Sequence, residues 1–196
     1  MLINTKNGSM GKVIIIHGMP SKEEYFGPEG TSQSGKHWLG WLKDELIKIS
    51  SDVVAPEMPE PYEPLYEKWC STFEKFSVDE NTMLIGHSIG AGFLIRWLSE
   101  NKIQVGKVVL VAPWLDPRYE LQNGFFDFEI DKELVTRVES VTIFVSSDDD
   151  RDILESVKII RDDLPGVIMK EFSNQGHFTF GDMGTHKFPE LLEILL

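Results

Sequence analysis

Apolar residues fall along this chain in two kinds of run, and the two alternate from end to end. "KVIIIHG" (12–18) is short, β-branched and closed by glycine, which predicts a strand buried on both faces. "GKHWLGWLKDELIKIS" (35–50) follows at helical spacing, with Trp38, Leu42, Leu46 and Ile49 on one face. "DVVAPEMP" (52–59) begins as a strand and leaves through prolines. "EPLYEKWCSTFEKF" (63–76) then resumes helical spacing through Leu65, Trp69, Phe73 and Phe76. The pattern goes on to predict a strand at 81–87 and a helix at 88–101 with Ala91, Leu94, Ile95 and Leu98 facing inward. A strand at 106–113 leads into a long aromatic-rich segment and a helix at 127–138. A strand at 140–147, a helix at 152–164, a strand at 166–172 and a helix at 185–196 close the chain.

Six strands separated by helices imply an α/β fold: a mainly parallel six-stranded sheet with helices on both faces, joined by right-handed crossovers. No low-complexity tract or internal repeat interrupts the alternation. The proline-rich "PEMPEPYEP" lies between elements of one repeating pattern, so residues 1–196 are expected to form a single domain.

Candidate chemistry enters with "MLIGHSIGAG" (83–92), where a predicted strand runs into a predicted helix through G-x-S-x-G. Reactive groups in a parallel sheet gather beyond the carboxyl ends of its strands, and Ser88 stands at such an end. Side chains at Gly86 and Gly90 would collide with the neighbouring strand and helix. Ser88 could equally be a helix N-cap, a position serine favours. As a nucleophile it needs a base, and the base needs an orienting acid. In strand–serine–helix elbows the acid follows the serine and the histidine comes last. Of the two histidines after Ser88, His177 in "FSNQGHFTF" sits just past the last strand, whereas His186 reads as capping or exposed. The acid belongs after the penultimate strand, where "VSSDDDRD" offers Asp148, Asp149, Asp150 and Asp152; periodicity does not choose among them. Ile89 N–H and the backbone N–H of Met19, in the loop after "IIIHGMP", are the candidate oxyanion donors. His87 is expected to point away from the elbow and pack, and His37 to be structural or exposed. Trp114, Phe125 and Phe126 in "APWLDPRYELQNGFF" either line an apolar pocket or anchor a long loop.

Composition narrows the partners. A net charge of −13 repels nucleic acid and anionic membranes. No run approaches ~20 apolar residues, and "MLINTKNGSM" lacks the apolar stretch of a signal peptide. Cys70 is the only cysteine, so no intrachain disulfide forms and a cytoplasmic setting is expected. The five histidines do not fall at zinc-ligand spacings, so neither a metal nor another cofactor is called for.

Taken together, "KVIIIHG", "HWLGWLKDELIKI", "MPEP", "NTMLIGHSIGA", "VVLVAPW" and "FSNQGHF" resemble, in order and over nearly the whole chain, the retinoblastoma-binding protein 9 family of small serine hydrolases. That family includes the bacterial YdeN-like proteins. The resemblance implies a compact α/β-hydrolase fold without a large lid domain, Ser88 as nucleophile and His177 as base. It places the acid at Asp150, with Arg151 where the family has proline, which keeps Asp149 as an alternative. The loop "HGMPSKEEYFGPEGTSQSG" is longer than the family's glycine-rich turn. The L-x-C-x-E of the mammalian members would fall at Phe76, Val78 and Glu80; two of its three residues are absent, so that binding role does not transfer. The expected activity is hydrolysis of small ester or amide acyl substrates through an acyl-enzyme. The rival expectation is a non-catalytic module that binds a ligand or protein on the same fold.

Overall fold

The computed structural model describes residues 11–28, 32–50 and 52–196. Its elements run β1 (Val13–Ile16), α1 (Lys22–Tyr25), α2 (Leu39–Ile47), β2 (Val53–Val54), α3 (Tyr66–Phe73), β3 (Met83–His87) and α4 (Ile89–Asn101). They continue β4 (Val105–Val111), β5 (Val138–Ser146), α5 (Arg151–Asp163), β6 (Ile168–Phe172), α6 (Phe180–Met183) and α7 (Pro189–Leu195). The six strands form one sheet in the order β2-β1-β3-β4-β5-β6, and every neighbouring pair is parallel.

The two faces of the sheet separate at β3, where successive side chains point opposite ways. A side chain at Gly86 would run into α4, while the ring of His87 meets Trp38, beside α2, at 5.7 Å. Tyr66, Trp69 and Phe73 of α3 pack with Phe93 of α4 on the first face. Trp38, Phe144 and Phe188, the residue before α7, pack on the second. The chain turns left from β1 to β2 and then returns to β3. The point where strand order reverses therefore lies between the ends of β1 and β3, where ligands of open parallel sheets bind.

Five elements depart from the pattern. The helix expected at 127–138 is only a 3₁₀ turn, Leu134–Thr136. Asp131 N–H is taken by Ser99 Oγ, the Asp131 carboxylate pairs with Arg137 at 2.6 Å, and the Arg137 carbonyl already accepts Val105 N–H. Strand pairing thus claims what would have been the last helical turn. The last helix starts at Pro189 rather than 185, because proline suits the first helical position and its ring would clash further inside. Ile49, expected inward, is half exposed because α2 has already ended at Ile47. The short helices α1 and α6 escaped the periodicity altogether; each is a single turn closed by a capping box, Ser21 with Glu24 and Thr179 with Asp182.

The site depends on a close contact between β3 and α4. A Cβ on Gly86 would stand 2.5 Å from Ala91 Cα and 2.6 Å from its nitrogen, both backbone atoms that no rotamer change can move. Gly86→Ala is therefore expected to lower the unfolding free energy by about 1–3 kcal/mol or more, as overpacking does. Urea denaturation measures it, and a variant as stable as the parent would show that α4 can withdraw from the strand.

Candidate active site

Ser88 follows β3 directly and opens α4 with φ 55° and ψ −122°, a conformation costly for any residue with a side chain. The backbone holds it there from both sides. Its N–H donates to the Val111 carbonyl at 2.9 Å, and its own carbonyl accepts from Ala91, Gly92 and Trp114 N–H groups at 3.0–3.2 Å. The Ser88 side chain makes no capping bond, so the alternative of a plain N-cap is not realised. A Cβ on Gly90 would lie 2.5 Å from the His17 carbonyl, so the first turn of α4 also sits hard against the end of β1. The loop after β1 touches Ser88 from the other side, where a Cβ on Gly18 would come within 3.3 Å of Ser88 Cβ. Met19, half exposed, is the next residue. Ile89, as the first residue of α4, has no carbonyl one turn earlier to receive its N–H. Ile89 thus follows the serine directly, and Met19 follows Gly18, whose backbone approaches Ser88.

His177 stands on the loop after β6, between positive-φ Gly176 and Phe178. Its N–H donates to Asp182 Oδ2 at 3.0 Å, and its carbonyl accepts from His87 Nε2 at 2.9 Å. Its ring lies 5.0 Å from that of His87, the neighbour of Ser88. Nδ1 meets both oxygens of one carboxylate, at 3.0 and 3.2 Å, so Nδ1 carries the proton and Nε2 the lone pair.

That carboxylate belongs to Asp149, not to Asp150, which corrects the pairing expected from the resemblance. The three consecutive aspartates divide their work. Asp148 closes on the Ser146 hydroxyl, which with its neighbouring backbone donors holds its carboxyl below the usual range. The Asp149 side chain is wholly buried against His177 and accepts Asp150 N–H at 2.7 Å. Asp150 is the exposed N-cap of α5, and its carbonyl receives the N–H groups of Ile153 and Leu154. Its backbone is committed to starting the helix, which turns its side chain to solvent. The missing proline at Arg151 was the one sequence signal that the spacing had slipped by a residue.

Of the pocket candidates, Trp114 is buried and bonds through its N–H to the Ser88 carbonyl. Phe125, 1 % exposed, packs at 5.2 Å on Trp69 and belongs to the core. Phe126 lies against Gly92 and Trp114. Both phenylalanines border a groove of about 810 Å³ between the 115–132 loop and α5, which none of Ser88, Asp149 and His177 lines. They anchor the loop rather than face the serine. Arg96 secures the same loop, donating to the Gly124 and Phe125 carbonyls while its guanidinium lies 3.6 Å over the Tyr66 ring. Among the described residues no three His, Cys, Asp or Glu side chains come together as a metal site, and no helix is long and apolar enough to cross a membrane.

The remaining histidines do more than sequence reading expected. His17 is buried, donates from Nδ1 to the Gly18 carbonyl and accepts Met58 N–H at Nε2. His37 Nδ1 accepts Phe180 N–H at 3.1 Å, and His186 Nδ1 donates to the His37 carbonyl at 2.7 Å. These contacts join residues up to 149 positions apart, so no spacing could have announced them.

Comparison with known proteins gives the family and the fold. The family described as serine hydrolase matches residues 28–195. YdeN of Bacillus subtilis is 26% identical over 196 residues, covering 94% of each chain. The serine hydrolase RBBP9 of Rattus norvegicus is 27% identical over 164 residues, covering 81% of this chain and 84% of its own. The crystal structure of the Bacillus subtilis ydeN product superposes with a TM-score of 0.77 at 24% identity, covering 94% of this chain and 96% of that one. The fold is that of the α/β-hydrolases, as the resemblance read from the sequence implied.

Burial, ahead of neighbouring charges, holds His87 well below its ordinary value of 6.5 and lowers His17 and His37 as well. In the unfolded chain all three titrate near 6.5. Their contribution to stability is therefore complete above that pH and is lost as the pH falls toward their folded values, with the unfolded chain binding the extra protons. Urea midpoints between pH 7.5 and 5.5 are expected to fall steadily, and more shallowly in His87→Gln, which has no imidazole to charge there. A flat profile in the parent would mean that these rings are free to protonate in place.

Proposed function

This chain belongs to the serine hydrolase family, and from that premise we propose that it cleaves small ester or amide substrates with Ser88 as nucleophile, His177 as base and Asp149 as the orienting acid. The observation that carries the reading is the His177–Asp149 pair: a buried carboxylate on Nδ1, which leaves Nε2 basic, on a loop packed beside a strained serine.

In the acylation step His177 Nε2 takes the hydroxyl proton as Ser88 Oγ bonds to the substrate carbonyl carbon. The carbonyl electrons move onto oxygen, where the Ile89 and Met19 N–H groups receive them; one such donor is worth about 3 kcal/mol in the transition state. Asp149 keeps the imidazole in its Nδ1–H tautomer and stabilises the imidazolium without taking its proton. As the carbonyl re-forms, the leaving oxygen or nitrogen departs with the proton from Nε2. Water, deprotonated by the same nitrogen, then attacks the acyl-enzyme, and the Ser88–acyl bond breaks to release the acid as Nε2 returns that proton to Ser88 Oγ. No cofactor takes part in any of these steps. The Trp114 backbone N–H, bonded to the Ser88 carbonyl, steadies the turn that carries the nucleophile.

A fluorophosphonate probe is expected to label the parent and neither Ser88→Ala nor His177→Ala. With p-nitrophenyl butyrate, Asp149→Asn should lower kcat on the order of 10⁴-fold, since the amide permits the wrong tautomer. Asp150→Asn should stay within about threefold, because the Asp150 side chain is exposed and makes no capping bond. An unlabelled but folded parent would sink the proposal; equal losses in the two aspartate variants would remove Asp149 from it.

A further inference from the structure

Three histidines that the acyl-transfer reading leaves idle converge on the loop bearing His177. His87 is 3 % exposed, with its ring 5.7 Å from Trp38 and 5.0 Å from His177. Its Nε2 faces the His177 carbonyl, an acceptor, so the proton is on Nε2 and Nδ1 is bare. That Nδ1 has no hydrogen-bond partner among the described residues. Three residues past the base, Phe180 N–H donates to His37 Nδ1. Phe180 also stacks at 4.2 Å on His186, whose Nδ1–H holds the His37 carbonyl.

We propose that His87 and His37 are positioning residues that fix the 177–180 backbone and so present the His177 ring to Ser88. The inference rests on the acyl-transfer reading above. The Asp149 pair alone leaves the ring free to swing with its loop, because a hydrogen bond at Nδ1 restrains one atom. The two backbone groups of His177 are held from different elements: its N–H by Asp182 in α6 and its carbonyl by His87 in β3. The bond from His87 ties the strand that delivers the serine directly to the loop that delivers the base, ninety residues away. Filling space cannot be its whole purpose. Leucine would occupy the site without burying a bare ring nitrogen, a cost that only the directed Nε2–H bond offsets. His37 meets the loop from a third direction, with φ 54°, a conformation asparagine also tolerates.

The side-chain chemistry supplies matched variants. Gln at 87 can present its amide N–H near the place of Nε2, and Asn at 37 its oxygen near the place of Nδ1; His87→Leu and His37→Ala keep neither. The four variants and the parent would be compared by thermal midpoint, by the rate of fluorophosphonate labelling, and by kcat and KM for p-nitrophenyl butyrate. In His87→Leu, kcat and labelling rate should fall roughly 10–100-fold, as small misplacements of a catalytic group do. KM should stay within about threefold, since substrate binding is untouched. His87→Gln should recover most of the loss, and His37→Asn should likewise exceed His37→Ala. Equal losses in Leu and Gln, or a folded His87→Leu with parental kcat, would overturn the proposal. If His87→Leu does not fold, the His37 pair decides by the same criterion. A folded parent that takes no label would overturn the Ser88 reading itself and this inference with it.

Discussion

Ser88 holds φ 55° because three backbones converge on it and none has room to yield. Gly86 lets α4 descend onto β3, and Gly90 lets the same helix press against the carbonyls that end β1. Between those contacts the chain must turn from strand to helix within one residue. The bonds from Ser88 N–H to Val111 and from three N–H groups to its carbonyl lock the turn from the β4 side as well. A lone strained residue would relax; this one is over-determined by packed neighbours on every side. The side chain, with no backbone group left to cap, points out of the corner, and the first N–H of α4 stands beside it unspent.

Everything else at the site is arranged around that corner by parallel strand ends. β1 brings Gly18 and Met19, β3 brings His87 and Ser88, β4 brings Trp114, β5 brings Asp149, and the loop after β6 brings His177. The loops gather around Ser88 because a parallel sheet ends all its strands at one edge. The helices matter as anchors. α5 needs Asp150 at its start, which fixes where Asp149 can point; α6 needs Asp182 in its capping box, and the same carboxylate holds His177 N–H.

The electrostatic character of the site is that of neutral rings around one buried ion. His87 and His17 are desolvated and each uses its single proton to bind a carbonyl, at His177 and Gly18. The Asp149 carboxylate is the charged group in the interior of the site, and His177 the imidazole that faces it.

How much of this was legible along the chain depends on the range of the contact that decides it. Strand and helix periods and the glycines flanking Ser88 are local properties, and the sheet and the sharp turn at Ser88 followed from them. The helix expected at 127–138 failed because its last turn was claimed by pairing with β4, a competition invisible in local spacing. Two single-turn helices were too short for any period to register. The aspartate that pairs with His177 lies one residue before the one the resemblance pointed to, because three adjacent aspartates are equivalent until a helix start and a histidine 28 residues away divide them. The histidine bonds at 37, 87 and 186 were beyond reach for the same reason. The sequence alone determined which chemistry the chain carries, since residue type and local backbone demand are written in it. Which carboxylate pairs with His177, and which groups bond the backbone of its loop, was decided only when distant strand ends met at one edge of the sheet.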